Sequence, residues 1–315
     1  MSNSELNNLE LATNIFNSSN IDTLNLNNIS LNNFKNASFL FNGTKITNLY
    51  LSNMELPLLE NAENIFSYSI IDNLNINNNN FTELYNLSSG YKNAEIGNLT
   101  SSNNSMDKLK CLSYLFEESK IDNLTIEQNS YNSISEINFK KENKDIFNNA
   151  VINKILINNI TNYSLKEINK LFANITSNEI KLSNIVLDLS DPADFFFDNS
   201  NIDNIEITID LCNTKRVFSF FSYTTSKIVH LNISSNIYNI NTEYFFRDCN
   251  IEKVYIDNIP KIYSRWDDKH FAKGLIYPQQ IIILNNSVYE NVSDLVLIDY
   301  VCNELSDGSY NCLKK

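Results

Sequence analysis

The stretch LENAENIFSYSIIDNLNINN, residues 59–78, carries two hydrophobic periods in succession. Leu59, Ala62, Ile65 and Phe66 fall at i, i+3, i+6 and i+7, the spacing of one face of about two helical turns. Ile71, Leu74 and Ile76 then close in the alternation of a strand with one buried side. The spacing predicts a short helix or helical turn, a bend, and a short strand.

Outward from residue 66 the same pattern returns. Phe16, Phe41, Phe66, Tyr91 and Phe116 are 25 residues apart, and after a six-residue insertion Phe147, Phe172, Phe197, Phe221, Phe246 and Phe271 resume the register. No unit of this size buries its apolar face alone, so the copies must stack, with strands side by side in a parallel sheet and rings in a buried column. The expected fold class is α/β, a solenoid of about eleven units with the sheet on one face and helices or helical turns on the other. The solenoid is expected over 1–259 with an insertion near 128–141, and residues 260–315 as a degenerate last repeat and C-terminal cap.

Composition supports stacking by unusual means. Five Gly and four Pro cannot turn 315 residues of compact chain, and 58 Asn supply the best non-glycine substitute for left-handed positions. Small residues three after the anchor (Ser19, Thr44, Ser69, Ala94, Ser119, Ala150, Ser200, Cys249) suit close stacking at a bend. Asn28, Asn53, Asn78, Asn103, Asn159, Asn184 and Asn258 recur after the strand, where stacked amides can satisfy backbone groups of neighbouring coils. At the N-terminus the expected cap is minimal, no more than Leu6, Leu9 and Leu11, and a bare apolar end is expected there unless something covers it.

The I-x-x-L-x-L-x-N strand resembles leucine-rich repeats. Together with the preceding L-x-x-A-x-x-[IL]-F and its small residue, it resembles the BspA-type repeats of bacterial surface proteins, a divergent leucine-rich class with units of about 23 to 25 residues. The resemblance covers roughly residues 9–284. It departs from that class in carrying Ser or Thr where Cys is frequent and in a slightly shorter spacing from anchor to strand. It implies a leucine-rich-repeat-like solenoid with a non-enzymatic recognition or adhesion role and no catalytic residues.

Charge and motifs narrow the functions. A net charge of −13 without a basic run argues against nucleic acid and against anionic membrane surfaces, and the longest apolar runs, such as Ile281 to Leu284, are too short to span a bilayer. The start MSNSELNNLELATN carries no export signal, so synthesis in the cytoplasm is expected. Five Cys without C-x-x-C spacing read as free thiols, with a Cys302–Cys312 bridge as the alternative. Only His230 and His270 offer imidazole, both expected at the surface, and nucleotide, zinc-protease and nucleophile-elbow motifs are absent; no enzyme activity, cofactor or metal is expected. Asp22, Asp72, Asp122 and Asp203 recur at the bend as expected caps.

Solenoids usually bind through outward strand positions. Over the first repeats these are amides and hydroxyls (Asn25, Asn48, Asn73, Asn75, Asn98, Thr100, Asn123), whereas residues 150–260 present charge and rings. The candidate ligand-binding residues are Lys181, Glu206, His230, Asn232, Lys253 and Tyr255. Phe195, Phe196, Phe245, Tyr255 and Trp266 are expected to fill a wider core and cap, with a contact surface as the alternative, and the insertion with Tyr131, Phe139, Lys140, Lys141 and Lys144 as a solvated loop. The expected partners are a protein or glycan on a cell surface, or neighbouring subunits of an assembly. The expected setting is a phage tail or virion, with a bacterial adhesin or a structural subunit as alternatives.

Overall fold

The computed structural model describes residues 8–129, 146–162, 170–187, 194, 196–211, 217–234, 245–258, 280–283 and 300–314. Phe271, Phe195, Trp266, His270, Leu6, Cys212, the Tyr131 to Lys144 group and the Leu295–Ile298 stretch lie outside them. The chain divides into two compact units, Met1–Ser164 and Leu165–Lys315.

The first unit is a parallel β-solenoid. Its strands are β1 (Asn20–Asn25), β2 (Lys45–Tyr50), β3 (Ile70–Asn77), β4 (Glu95–Ser102), β5 (Lys120–Glu127), β6 (Val151–Asn158) and the short β7 (Thr161–Asn162). From β1 to β6 each strand pairs in parallel with the next. Ile46, Ile71, Ile96, Ile121 and Ile152 share one register position, and Leu49, Leu74, Leu99, Leu124 and Ile155 another, so equivalent apolar residues lie side by side and are buried. Register equivalence is what a strict repeat buys, because a one-residue slip would turn each row to solvent. The same order holds from β5 to β6, where Leu124 pairs with Ile155.

The rings form the expected spine. Phe16, Phe41, Phe66, Tyr91, Phe116 and Phe147 stack in sequence at 4.9–5.4 Å between centroids, with planes within 13°. The small residue three positions on closes the bend: the hydroxyls of Thr44, Ser69 and Ser119 donate to the carbonyls of Phe41, Phe66 and Phe116 at 2.6–2.8 Å.

The helical turns expected before the anchor are not present; among the described residues there is no helix. The stretch is a chain of tight turns. Leu40, Asn42 and Thr44 N–H donate three residues back, to Ala37, Phe39 and Phe41, while the alternate donors Phe39, Phe41 and Gly43 reach Glu63, Ile65 and Ser67 of the next coil at 2.9–3.0 Å. A helix keeps its donors for its own carbonyls, and would leave the neighbouring coil unbonded. Left-handed residues at both flanks of the anchor, such as Asn64 (φ 55°) and Tyr68 (φ 59°), also break helical propagation.

A third left-handed corner follows the strand, at Asn28, Asn53, Asn78, Asn103, Gln128, Asn159 and Asn184. Of the 23 non-glycine residues with positive φ among those described, twelve are Asn, so asparagine does the work that glycine would otherwise do. The amide ladder sits one residue beyond the expected column, because the corner turns the next side chain inward. Asn79, Asn104 and Asn129 are buried; the Oδ1 of each accepts from the backbone N–H of Met54, Asn79 and Asn104 respectively at 2.8–2.9 Å. Their Nδ2 groups donate to the carbonyls of Leu51, Ile76 and Ser101.

The first described residues of this unit leave apolar side chains exposed. Leu11 and Ile15 are 62% and 57% exposed, and Phe16 is only half-buried.

The second unit repeats the plan with longer strands: β8 (Thr176–Leu187), β9 (Asn201–Asp210), β10 (Thr225–Ser234), β11 (Asn250–Asn258) and β12 (Gln280–Ile283), parallel in that order. The hairpin β13 (Tyr300–Glu304) and β14 (Tyr310–Lys314) pairs antiparallel onto β12 through β14. Cys302 and Cys312 face each other across the hairpin and form a disulfide, which corrects the free-thiol reading for those two; Cys111 and Cys249 are in no disulfide. Two ring columns run here. Phe172, Phe197, Phe221 and Phe246 stack at 5.2–5.3 Å, and beside them Phe196, Phe220 and Phe245 stack at 4.8–5.1 Å, edge-on to the first. Phe196 and Phe245 thus widen the core.

One half-buried group in this unit opposes the fold. Burial pushes the Asp198 carboxyl above its ordinary value of 3.8, offset in part by Lys170, and its Oδ1 is buried without a hydrogen-bond partner among the described residues. A raised folded value means that the fold binds this proton more tightly than the unfolded chain does. Stability from it is complete below 3.8 and is lost as pH rises through the raised value. Asp198→Asn is therefore expected to raise the melting temperature at pH 7 and leave it unchanged at pH 3, in paired melting curves. The gain is below about 1 kcal/mol because the group is partly solvated and screened.

Candidate ligand-binding face

Strand alternation aims the candidate residues outward. Ile180 and Leu182, Ile205 and Ile207, Val229 and Leu231, and Val254 and Ile256 are all buried, so the residue between each pair stands on the opposite face of the sheet. Those residues are Lys181, Glu206, His230 and Tyr255, and the register sets them side by side across β8, β9, β10 and β11.

Neighbours in this row interact pairwise. Lys181 Nζ lies 2.7 Å from Glu206 Oε1. The His230 and Tyr255 rings stack at 4.4 Å with planes 11° apart, and Lys253 Nζ is 5.9 Å from the centre of the Tyr255 ring. Two residues along each strand, Asn232 lies opposite Thr208 of β9. On the other side the register slips: Leu231 pairs with Ile256 but Asn232 pairs with Asn258, which leaves Asp257 as an extra residue in β11. Bulges of this kind re-aim a side chain and are frequent beside binding sites.

A groove of about 290 Å³ opens at that bulge, lined by Glu206, Ile207, Thr208, His230, Leu231, Asn232 and Asp257. Of the six candidates, the structure brings Glu206, His230 and Asn232 into the groove. Lys181, Lys253 and Tyr255 flank it through the contacts above. The sequence reading missed Asp257 and Thr208, although the outward parity of Glu206 and Tyr255 carried one step along each strand marks both.

The corresponding face of the first unit differs in kind. Asn48, Asn73, Asn98 and Asn123 each donate an amide hydrogen to the preceding coil, to Thr23, Asn48, Asn73 and Asn98, at 2.8–3.5 Å. Thr100 likewise donates to Asn75 at 2.7 Å. These polar groups are largely spent on each other. Two of the recurring aspartates bond sideways and link coils, Asp122 accepting from Asn153 and Asp203 pairing with Lys227, whereas Asp22 accepts from Thr23 of its own coil.

Among the described residues no group of three His, Cys, Asp or Glu is placed to hold a metal ion, and no helix is long and apolar enough to cross a membrane.

Fold and face together define a parallel β-solenoid with a polar, ring-bearing groove on the sheet of its second unit. No family model, curated protein or solved structure matches the chain.

Proposed function

We propose that the chain is a non-enzymatic recognition module whose outward face on β8–β11 holds a partner on a cell surface. The single observation behind this reading is the contrast between the two faces. The amides of the first unit are satisfied by their neighbours, whereas Glu206, His230, Asn232 and Asp257 converge on a groove. Convergent polar groups beside rings in a concavity are the usual make-up of a binding site. Kinship with BspA-type leucine-rich surface proteins belongs to the same proposal, as does a setting on a phage tail or virion, with a bacterial surface adhesin as the alternative.

The test is binding of the labelled chain to intact cells, comparing native protein with Lys253→Ala/Tyr255→Ala. Both side chains are outside the core, so melting should move by no more than about 2 °C while cell binding falls at least about tenfold. Unaltered binding by the double variant would remove this face from consideration.

A second reading, a structural subunit of an assembly, is favoured by the exposed apolar side chains of Leu11 and Ile15 in the first described coil. Light scattering distinguishes it. A stable monomer that binds cells opposes the structural role; a concentration-dependent mass that Ile15→Lys abolishes supports it.

A further inference from the structure

The groove on β9–β11 has a chemistry narrower than recognition in general. Its walls are two carboxylates, Glu206 and Asp257, with the Asn232 amide, the Thr208 hydroxyl and the exposed His230 imidazole, and its floor runs along Ile207 and Leu231, whose side chains point into the core. We infer that this groove binds one neutral hexose unit of a glycan. Asp257, Asn232, Glu206 and Thr208 would take its hydroxyls, and a C–H face of the sugar would lie against the His230 ring. The inference rests on the recognition reading above and gives its site a ligand class.

Four observations lead there. The volume, about 290 Å³, sits at the lower limit of ligand pockets and suits a compact ring better than an extended chain. Vicinal hydroxyls offer paired donors and acceptors, and carboxylate and amide groups answer them in pairs. Among the described residues the groove lacks the apolar anchor that a protein hot spot needs: the exposed large hydrophobic residues described in this unit, Tyr223, Val301, Leu305 and Leu313, do not line it. An added peptide strand has no edge to join, because β9 and β10 are each paired on both sides.

Charge decides which sugars. Two carboxylates in a chain of net charge −13 repel sulfated and sialylated glycans. The ring pair supplies the apolar part of the contact: His230 is held upright by Tyr255 at 4.4 Å, so its free surface is fixed before a ligand arrives and little ordering remains to be done on binding. Glu206 is similarly anchored by Lys181 at 2.7 Å.

Saturation-transfer difference NMR on the full chain tests this with oligosaccharides ending in glucose, galactose, mannose or N-acetylglucosamine as probes. Heparin oligosaccharide, sialyllactose and oligolysine are the counter-probes. Saturation transfer to at least one neutral probe is expected, with Asp257→Asn, a near-isosteric change at the half-buried bulge, weakening it at least tenfold and Asn232→Ala doing the same. Circular dichroism melts of both variants should overlay the native curve. Binding of acidic probes or oligolysine in place of every neutral one would overturn the inference, as would a neutral-sugar signal indifferent to both variants. If Asp257→Asn changes nothing while Lys253→Ala/Tyr255→Ala abolishes cell binding, the sugar groove fails and the wider face stands. If neither variant matters, both fail together.

Discussion

Phe66→Ala is expected to cost about 3 to 5 kcal/mol of unfolding free energy in urea titration, the range for truncating a fully buried phenylalanine. Phe66 is 2% exposed and stacks on both sides, on Phe41 at 5.4 Å and on Tyr91 at 5.3 Å. The change therefore opens a cavity in the column and deletes two ring pairs, each worth about 0.5–1.5 kcal/mol beyond its area. Because each coil is stabilised through its neighbours, amide exchange should accelerate in the coils holding Phe41 and Tyr91 as well as in the mutated one. Phe16→Ala is the internal comparison: its ring has a described stacking partner on one side only, is half-buried, and should cost about half as much. A loss under about 1 kcal/mol at Phe66 would show that the rings are not the spine.

Why the spine was readable and the turns were not follows from what each position demands. A buried ring column tolerates Phe and Tyr and little else, so Phe16 through Phe246 announce themselves at a fixed spacing, and the strand rows of Ile and Leu do the same. The turn before the anchor demands backbone geometry, not a residue type. Its left-handed flank is Asn14, Phe39, Asn64, Ser89 and Tyr114 in successive coils, with no common side chain. Apolar spacing of three and four arises equally from a helix and from linked turns that each close three residues back. What separates them is the destination of alternate N–H groups, which lies in another coil and leaves no mark on local periodicity.

The site was legible in the same partial way. Outward parity puts Lys181, Glu206, Asn232 and Tyr255 in one row and His230 beside Lys253 in the next, but the register sets His230 between Glu206 and Tyr255 and moves Asn232 two residues along, opposite Thr208. The groove itself depends on the extra residue in β11, a register slip relative to β10 that no single strand reveals. The Cys302–Cys312 bridge depended on a reversal of strand direction after β12. Asn184 and its equivalents were placed correctly as repeat positions but given the ladder's role, which belongs to the residue after the corner.

That residue carries the second large effect. Asn104 is 1% exposed and meets three demands at once: its Nδ2 donates to the Ile76 carbonyl at 2.7 Å and to Asn129 Oδ1 at 3.1 Å, and its Oδ1 accepts the Asn79 N–H at 2.9 Å. Replacing it with leucine keeps the volume and apolar burial but strands a backbone donor and a backbone acceptor away from water, at about 1–3 kcal/mol each before relaxation. Asn104→Leu is thus expected to lose about 2 to 4 kcal/mol in urea titration, with the Asn79 amide exchanging faster than its neighbours. Asn98→Ala, on the exposed ladder, should lose no more than about 0.5 kcal/mol, since water replaces its partner. Equal losses at the two sites would mean that the ladders are interchangeable surface features. A loss at Asn104 alone would show that this chain, with five glycines in 315 residues, relies on asparagine twice: to turn its corners, and to bond the backbone that those corners bury.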